Sequence, residues 1–140
     1  MVRARVELFE VRHVSVSIRR SPRAVYEFVA NGEHLPRWAS GLGERVQRSG
    51  SDWVADGPLG QVRIRFATQN DFGILDHDVQ LPSGDTVHNP LRVVPNGGGS
   101  ELTFTLFRLP GVSEQTFASD ADWVERDLKR LKALLEADTP

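Results

Sequence analysis

The stretch SPRAVYEFVANGEHLPRWASGLG, residues 21–43, decides the fold, because a helix begins and breaks within it. Ser21 is a natural helix N-cap, and Pro22 suits the first helical position, where a missing N–H is no loss. Asn31 and Gly32 predict the end of this helix, since both residues readily take the left-handed conformation of a helix stop. The chain must therefore turn a corner soon after it starts.

Elements on both sides of this corner follow from the spacing of apolar residues. A second short helical piece is expected around residues 35–40, and the segment before the corner alternates as a first strand. The inner face of that strand carries Val14, Val16 and Ile18. From about residue 44 to 109 a period of two between turn signals predicts consecutive antiparallel strands. Beyond them, apolar spacings of four and three predict a long helix from near Ser113 to about Ala137.

Composition limits the classes of function. The 140 residues predict one domain, 1–140, and the absence of cysteine excludes a disulfide framework and a thiolate metal site. A net charge of −2 with scattered basic residues argues against nucleic-acid binding. The N-terminus alternates charged and apolar residues, and no stretch approaches the ~20 apolar residues of a membrane span. We therefore expect a soluble, cytoplasmic protein without a cofactor.

The order of predicted elements resembles the START-like or SRPBCC (helix-grip) superfamily, in its polyketide cyclase/dehydrase-like branch. The resemblance rests on VSVSIRRSPRAVYEFVANGEHLPRWASGL, residues 14–42, and on ADWVERDLKRLKALLEA, residues 121–137. It implies an α+β helix-grip fold, in which a curved seven-stranded antiparallel sheet surrounds the C-terminal helix and two short helices lie between strands 1 and 2. Sheet and helix would enclose a cavity that the short helices close at one end. Trp38 would lie either at the cavity rim or in ordinary core packing.

The segment LPSGDTV, residues 81–87, predicts a hairpin register without help from the family. Its Pro-Ser-Gly sequence fits a three-residue loop that pairs Leu81 with Asp85. Counting back, His77 faces Asn89, close enough for a direct or water-bridged hydrogen bond. The same register pairs Leu75 with Leu91 and continues on the next strand with Val93–Leu102, Leu91–Phe104, Asn89–Leu106 and Val87–Arg108.

The inner face that follows from this register is apolar, with His77, Asn89 and Arg108 as polar exceptions. The candidate ligand-binding residues are His77, Asn89, Arg108, Trp38, Leu75, Leu91, Phe104, Val124 and Leu128. Either these groups line a pocket, or His77 and Asn89 satisfy each other in a core while Arg108 pairs with an acid of the last helix. The opposite register would bury two carboxylates, Asp76 and Asp78, at a high cost in free energy. A proline inside a strand, Pro90, predicts a bulge.

Three functions remain open at this stage. The first is binding of a small hydrophobic or aromatic molecule in a cavity between the sheet and the C-terminal helix. The second is a polyketide cyclase- or dehydratase-like enzyme, with His77 as general acid/base and Arg108 or Asn89 holding an oxyanion or enolate. The third is a co-chaperone-like interaction module, which should expose a sizeable apolar patch. The histidine and carboxylate spacings indicate no metal site.

Overall fold

The computed structural model describes residues 5–42, 45–57 and 60–137. The elements in chain order are β1 (Val11–Ile18), α1 (Pro22–Ala30), a 3-10 turn (Gly32–His34), α2 (Leu35–Trp38), a second 3-10 turn (Ser40–Leu42), β2 (Val46–Ser49), β3 (Asp52–Gly57), β4 (Gly60–Phe66), β5 (His77–Gln80), β6 (Thr86–Asn89), β7 (Leu91–Asn96), β8 (Gly99–Phe107) and α3 (Glu114–Ala137). The predicted α+β order with a long C-terminal helix is confirmed, but eight strands replace the expected seven. No helix in these described ranges combines the length and hydropathy needed to cross a bilayer.

The strands form two antiparallel sheets, ordered β1-β8-β7 and β2-β3-β4-β5-β6, in place of the single predicted sheet. The division falls at Pro90, between β6 and β7. The Pro90 carbonyl accepts a hydrogen bond from the Thr105 N–H at 3.0 Å, so the Pro90 nitrogen also faces β8, where it has no hydrogen to donate. The β7–β8 ladder therefore begins at Leu91, opposite Phe104. The predicted pairs Asn89–Leu106 and Val87–Arg108 are wrong for this reason.

The β5–β6 hairpin has the predicted register. The Leu81 N–H donates to the Asp85 carbonyl at 2.8 Å, and Gly84 has a φ of 94°, as the three-residue loop requires. His77 consequently pairs with Asn89 across the two strands. The pairings Leu91–Phe104 and Val93–Leu102 in the next hairpin are confirmed as well.

α1 begins at the predicted Ser21 cap, and α3 begins after Ser113, near its predicted start. The Ser21 hydroxyl accepts a hydrogen bond from the Ala24 N–H at 3.2 Å, and the Ser113 hydroxyl accepts one from the Thr116 N–H at 3.1 Å. The buried stripe of α3 consists of Phe117, Ala121, Leu128, Leu131 and Leu135. Of these, Leu128, Leu131 and Leu135 pack in the main hydrophobic cluster, which also contains residues of both sheets.

The corner after α1 forms by a different mechanism from the predicted one. Asn31 is extended, with a φ of −83°, and Gly32 does not adopt a positive φ, so the expected left-handed helix end is wrong. The Asn31 side chain instead caps the 3-10 turn by accepting a hydrogen bond from the Glu33 N–H at 3.1 Å. Gly32 is required because the Trp53 ring occupies the space that a Cβ would need. The corner therefore depends on packing between α1's end and β3.

Replacement of Gly32 by alanine is expected to displace the Trp53 ring. Overpacking of this kind lowers the free energy of unfolding by about 1–3 kcal/mol. The matched control is Gly98→Ala, since Gly98 has open space around its Cα and no positive φ. Denaturant unfolding should show a loss for Gly32→Ala and a change within about 0.5 kcal/mol for Gly98→Ala. Equal stability of the two variants would contradict this account of the corner.

Candidate functional site

The interior between the sheets and α3 is closed at its centre and partly open at one end. Leu75, Leu91 and Leu128 are at most 1% exposed. Further along the inner face, five residues are only partly buried: Val79, Val87, Asn89, Leu106 and Val124. The concave face is therefore accessible beside β5 and β6, where His77 and Phe104 lie at the boundary, 8% and 9% exposed.

His77 lies among aromatic rings on the inner face. Its ring centroid is 5.3 Å from that of Phe66 and 6.2 Å from that of Phe104. Its Nδ1 lies 3.1 Å from the Leu75 carbonyl, which can only accept, so Nδ1 carries the proton. Within the described residues no hydrogen bond joins His77 to Asn89, although the two are strand partners. The interpretation in which these side chains satisfy each other directly is therefore wrong.

An irregular contact between the segment just before β5 and the start of β7 makes the Leu75 carbonyl available to His77. The Leu75 N–H donates to the Leu91 carbonyl at 2.8 Å, but the Leu91 N–H donates to the Asp76 carboxylate at 2.9 Å and not back to Leu75. Asp76 thus replaces a ladder carbonyl, and it also pairs with Arg92 at 3.0 Å. Asp76 is a positioning residue that the sequence analysis missed. The available signal was its place opposite Pro90, where an irregular ladder was expected.

Burial sets the charge of His77. Desolvation lowers the pKa of the His77 ring below its ordinary value, against the hydrogen bond to Leu75 and the nearby Asp76 carboxylate, which both raise it. The ring is therefore neutral near pH 7, and with the proton on Nδ1 its Nε2 is a hydrogen-bond acceptor. Within the described residues that Nε2 forms no hydrogen bond, and it is not fully enclosed, because the buried side-chain nitrogen left without a partner there is Trp38 Nε1.

Asp76 remains ionised beside this ring. Burial alone raises the pKa of the Asp76 carboxyl, but hydrogen bonds from Arg92 and from the Leu91 N–H, together with the Arg92 charge, bring the pKa below its usual value. Asp78, the other acid of this strand, lies 2.6 Å from the His88 ring on the outer face. Both acids thus point away from the interior, as the predicted register requires.

Arg108 is held at the end of the sheet and not beside His77. Its guanidinium donates to the Val112 carbonyl at 2.7 Å and to the Glu10 carboxylate at 3.1 Å, and lies 4.0 Å from Glu114 of α3. This arrangement corresponds to the alternative in which Arg108 pairs with acids, one of them on the last helix. A ligand contact by Arg108 stays a prediction without support from these contacts.

Trp38 belongs to the core. It is 5% exposed and packs in the main hydrophobic cluster, which agrees with the packing alternative and not with a position at an open rim. Its indole Nε1 is buried and has no hydrogen-bond partner among the residues that the structure describes. Buried indole N–H groups usually have a partner, so this unpaired donor is an exception in the described part of the core.

A groove lies between α1 and the β4–β5 connection. It consists of two adjoining cavities of about 610 and 290 Å³ that share Tyr26, Glu27 and Gln69. The smaller cavity is lined by Phe66 and Leu75. Both residues contact His77, Phe66 through its ring and Leu75 through its backbone carbonyl. Of the five cavities characterised within the described ranges, none includes His77 in its lining. The groove therefore reaches the neighbours of His77 without reaching its ring.

Comparison with known proteins identifies the fold. The model of a family described as polyketide cyclase / dehydrase and lipid transport matches residues 11–136. Similar solved structures include the protein XoxI from Bacillus cereus, with a TM-score of 0.71, 17% identity, and coverage of 93% of this chain and 99% of that one. A START superfamily protein from Mycobacterium smegmatis has a TM-score of 0.68, 15% identity, and coverage of 92% and 99%. No curated protein matches this sequence significantly. The START-like resemblance is confirmed.

Removal of the Asp76 carboxylate is expected to leave the buried Leu91 N–H without an acceptor. Asp76→Ala should lower the free energy of unfolding by about 1–3 kcal/mol. Asp76→Asn retains an acceptor oxygen and should recover most of this loss, which denaturant unfolding of both variants measures. Equal losses in the two variants would show that the negative charge of Asp76, and not its hydrogen bond from the Leu91 N–H, stabilises the fold.

The lowered pKa of His77 predicts a pH-dependent contribution to stability. The unfolded chain binds a proton near the ordinary histidine value of 6.5, whereas the folded protein binds it only at lower pH. The contribution is therefore complete above pH 6.5 and is lost as the pH falls through the lower folded-state pKa. Between about pH 7 and about pH 5, wild type should lose more free energy of unfolding than His77→Phe. Parallel stability curves for the two proteins would contradict the buried neutral ring.

Proposed function

Because this chain belongs to the polyketide cyclase/dehydrase and lipid transport family, we propose that it binds a small hydrophobic or aromatic molecule between the sheets and α3. The observation that carries this proposal is the His77 ring, which is buried, neutral, and surrounded by Phe66 and Phe104, with Nε2 unpaired among the described residues. Mostly apolar surroundings with one or two oriented polar groups are typical of small-molecule sites.

The protonation of His77 defines the polar group that the ligand should carry. A neutral ring with Nδ1–H directed at Leu75 offers only an acceptor at Nε2, so the ligand should present a donor such as a phenolic hydroxyl. Phe104 and Val124 would provide apolar contacts at the partly open end, with Asn89 beside them. The closed centre at Leu75, Leu91 and Leu128 would form the floor, and side-chain movement there would enlarge the space available.

Access to this site is expected from the groove beside α1. Phe66 and Leu75 line the smaller cavity on one side and contact His77 on the other. Rotation of the Phe66 ring would connect that cavity with the imidazole. The unpaired indole N–H of Trp38 would offer a donor to a ligand oxygen, if the ligand extends to the core.

The cyclase- or dehydratase-like alternative uses the same ring. A neutral His77 with an unpaired Nε2 is competent as a general base toward an acidic C–H or O–H of a bound molecule. Arg108 is engaged by Glu10, which leaves Asn89 as the polar neighbour for an oxyanion. Turnover that is lost in His77→Phe while binding persists would favour the enzyme. The co-chaperone-like function and the cytoplasmic location stay predictions.

The proposed contact predicts selective binding of a hydroxylated aromatic. Naphthol should bind more tightly than naphthalene by about fivefold to tenfold, because a hydrogen bond to Nε2 of His77 contributes about 1–1.4 kcal/mol. His77→Phe should abolish this preference while retaining the apolar contacts, as measured by calorimetric titration. His88→Phe makes the same chemical change on the exposed outer face and should retain the preference. Retained selectivity in His77→Phe, or binding of neither compound to wild type, would refute the proposed contact.

A further inference from the structure

The N-terminal arm, residues 5–10, is an extended segment with large apolar side chains in solvent. Val6 is 82% exposed and Leu8 is 88% exposed, and Phe9 and Val11 follow at 47% and 39%. The arm continues the line of β1, which pairs with β8 alone. An alternating apolar segment in line with an edge strand is a template for pairing with another strand.

The hydrogen-bond pattern of β1 shows which backbone groups are available on this edge. The Arg108 N–H donates to the Glu10 carbonyl at 2.8 Å, so even-numbered residues of β1 direct their backbone groups toward β8. Odd-numbered residues direct theirs outward. At the C-terminal end of β1, side chains of α3 bind two of these outward backbone groups. Lys132 donates to the Ser17 carbonyl, and Glu136 accepts from the Arg19 N–H. The ladder positions from Phe9 to Ser15 are not covered by a described strand.

The side chains of this edge complement those of an identical copy in one antiparallel register. When the pairing is centred on Val11, each copy places Leu8 opposite Val14 and Val6 opposite Val16. Glu10, whose carboxylate also accepts a hydrogen bond from Arg108 of its own copy, then lies opposite Arg12. Centring on Glu10 or on Arg12 would oppose like charges directly, which is destabilising. Centring on Phe9 or His13 would place Glu10 opposite an apolar residue. Only the Val11 register matches both apolar and charged positions.

We propose that the N-terminal arm and β1 pair antiparallel with the same segment of a second copy of this chain, about a two-fold axis at Val11. The interface is isologous, so each matched pair occurs twice. A cavity of about 600 Å³ between Ser15–Ser17 and the last turns of α3 provides space beside Val16 for Val6 of the second copy. Lys132 ends the ladder at Ser17. The result is one continuous sheet across two copies, with both α3 helices on the same side.

A cysteine scan tests this register directly, because the chain contains no cysteine. Paired Cα atoms in an antiparallel ladder lie about 4.5–5.5 Å apart, within the range that a disulfide spans. Val11→Cys should therefore form a covalent dimer at least about tenfold faster than Val94→Cys, because pairing raises the local thiol concentration. Val94 is a suitable control on β7, since it is 50% exposed. A mixture of Phe9→Cys and His13→Cys should give the mixed dimer faster than either variant alone.

Wild-type assembly is measured independently by light scattering across micromolar concentrations. Wild type should approach a dimer mass, Leu8→Lys should stay monomeric, and Phe72→Lys should behave as wild type, since Phe72 is 79% exposed away from this edge. Circular dichroism verifies that each variant is folded. A monomer mass for wild type, with Val11→Cys no faster than Val94→Cys, would overturn the proposal, as would a dimer that Leu8→Lys leaves intact.

Discussion

The three-residue turn at 82–84 is the constraint on which the candidate site depends. Gly84 takes a positive φ, and the Leu81 N–H closes the loop on the Asp85 carbonyl. Because side chains alternate along a strand, this turn decides which residues of β5 face the interior. A slip of one residue would bring the Asp76 and Asp78 carboxylates into an apolar environment and expose His77. The cost of burying unpaired charge makes that slip prohibitive.

The same register explains the chemistry of His77. On the outer face Asp76 is engaged by Arg92, and its carboxylate takes the Leu91 N–H that would ordinarily bond to Leu75. The Leu75 carbonyl is thus available for the His77 ring, which fixes the tautomer. An ionic interaction on the solvent side of the strand therefore determines which nitrogen faces the interior. The local backbone irregularity and the proposed ligand contact are therefore linked at this point of the sheet.

Features with local causes could be predicted from the sequence. The Ser21 cap, the apolar stripe of α3, and the 82–84 turn with its His77–Asn89 pairing each depend on neighbouring residues, and the structure has them. Features with distant causes could not be predicted. The Trp53 ring leaves no space for a side chain at Gly32. The Arg108 guanidinium is held by Glu10, which lies 98 positions away in sequence. The sheet divides at Pro90 because the Pro90 nitrogen, which has no hydrogen, faces β8. The spacing of apolar residues does not reveal which neighbouring strand that nitrogen faces.

The central claim is that His77 is a buried neutral ring with its proton on Nδ1 and an acceptor at Nε2. Long-range nitrogen–proton NMR of imidazole-labelled protein measures the tautomer directly. The account predicts that near pH 7 Nδ1 of His77 gives a protonated-nitrogen signal and Nε2 an unprotonated one, and that naphthol shifts the Nε2 signal. A proton on Nε2, or a ring that titrates at the ordinary value of 6.5, would contradict the account.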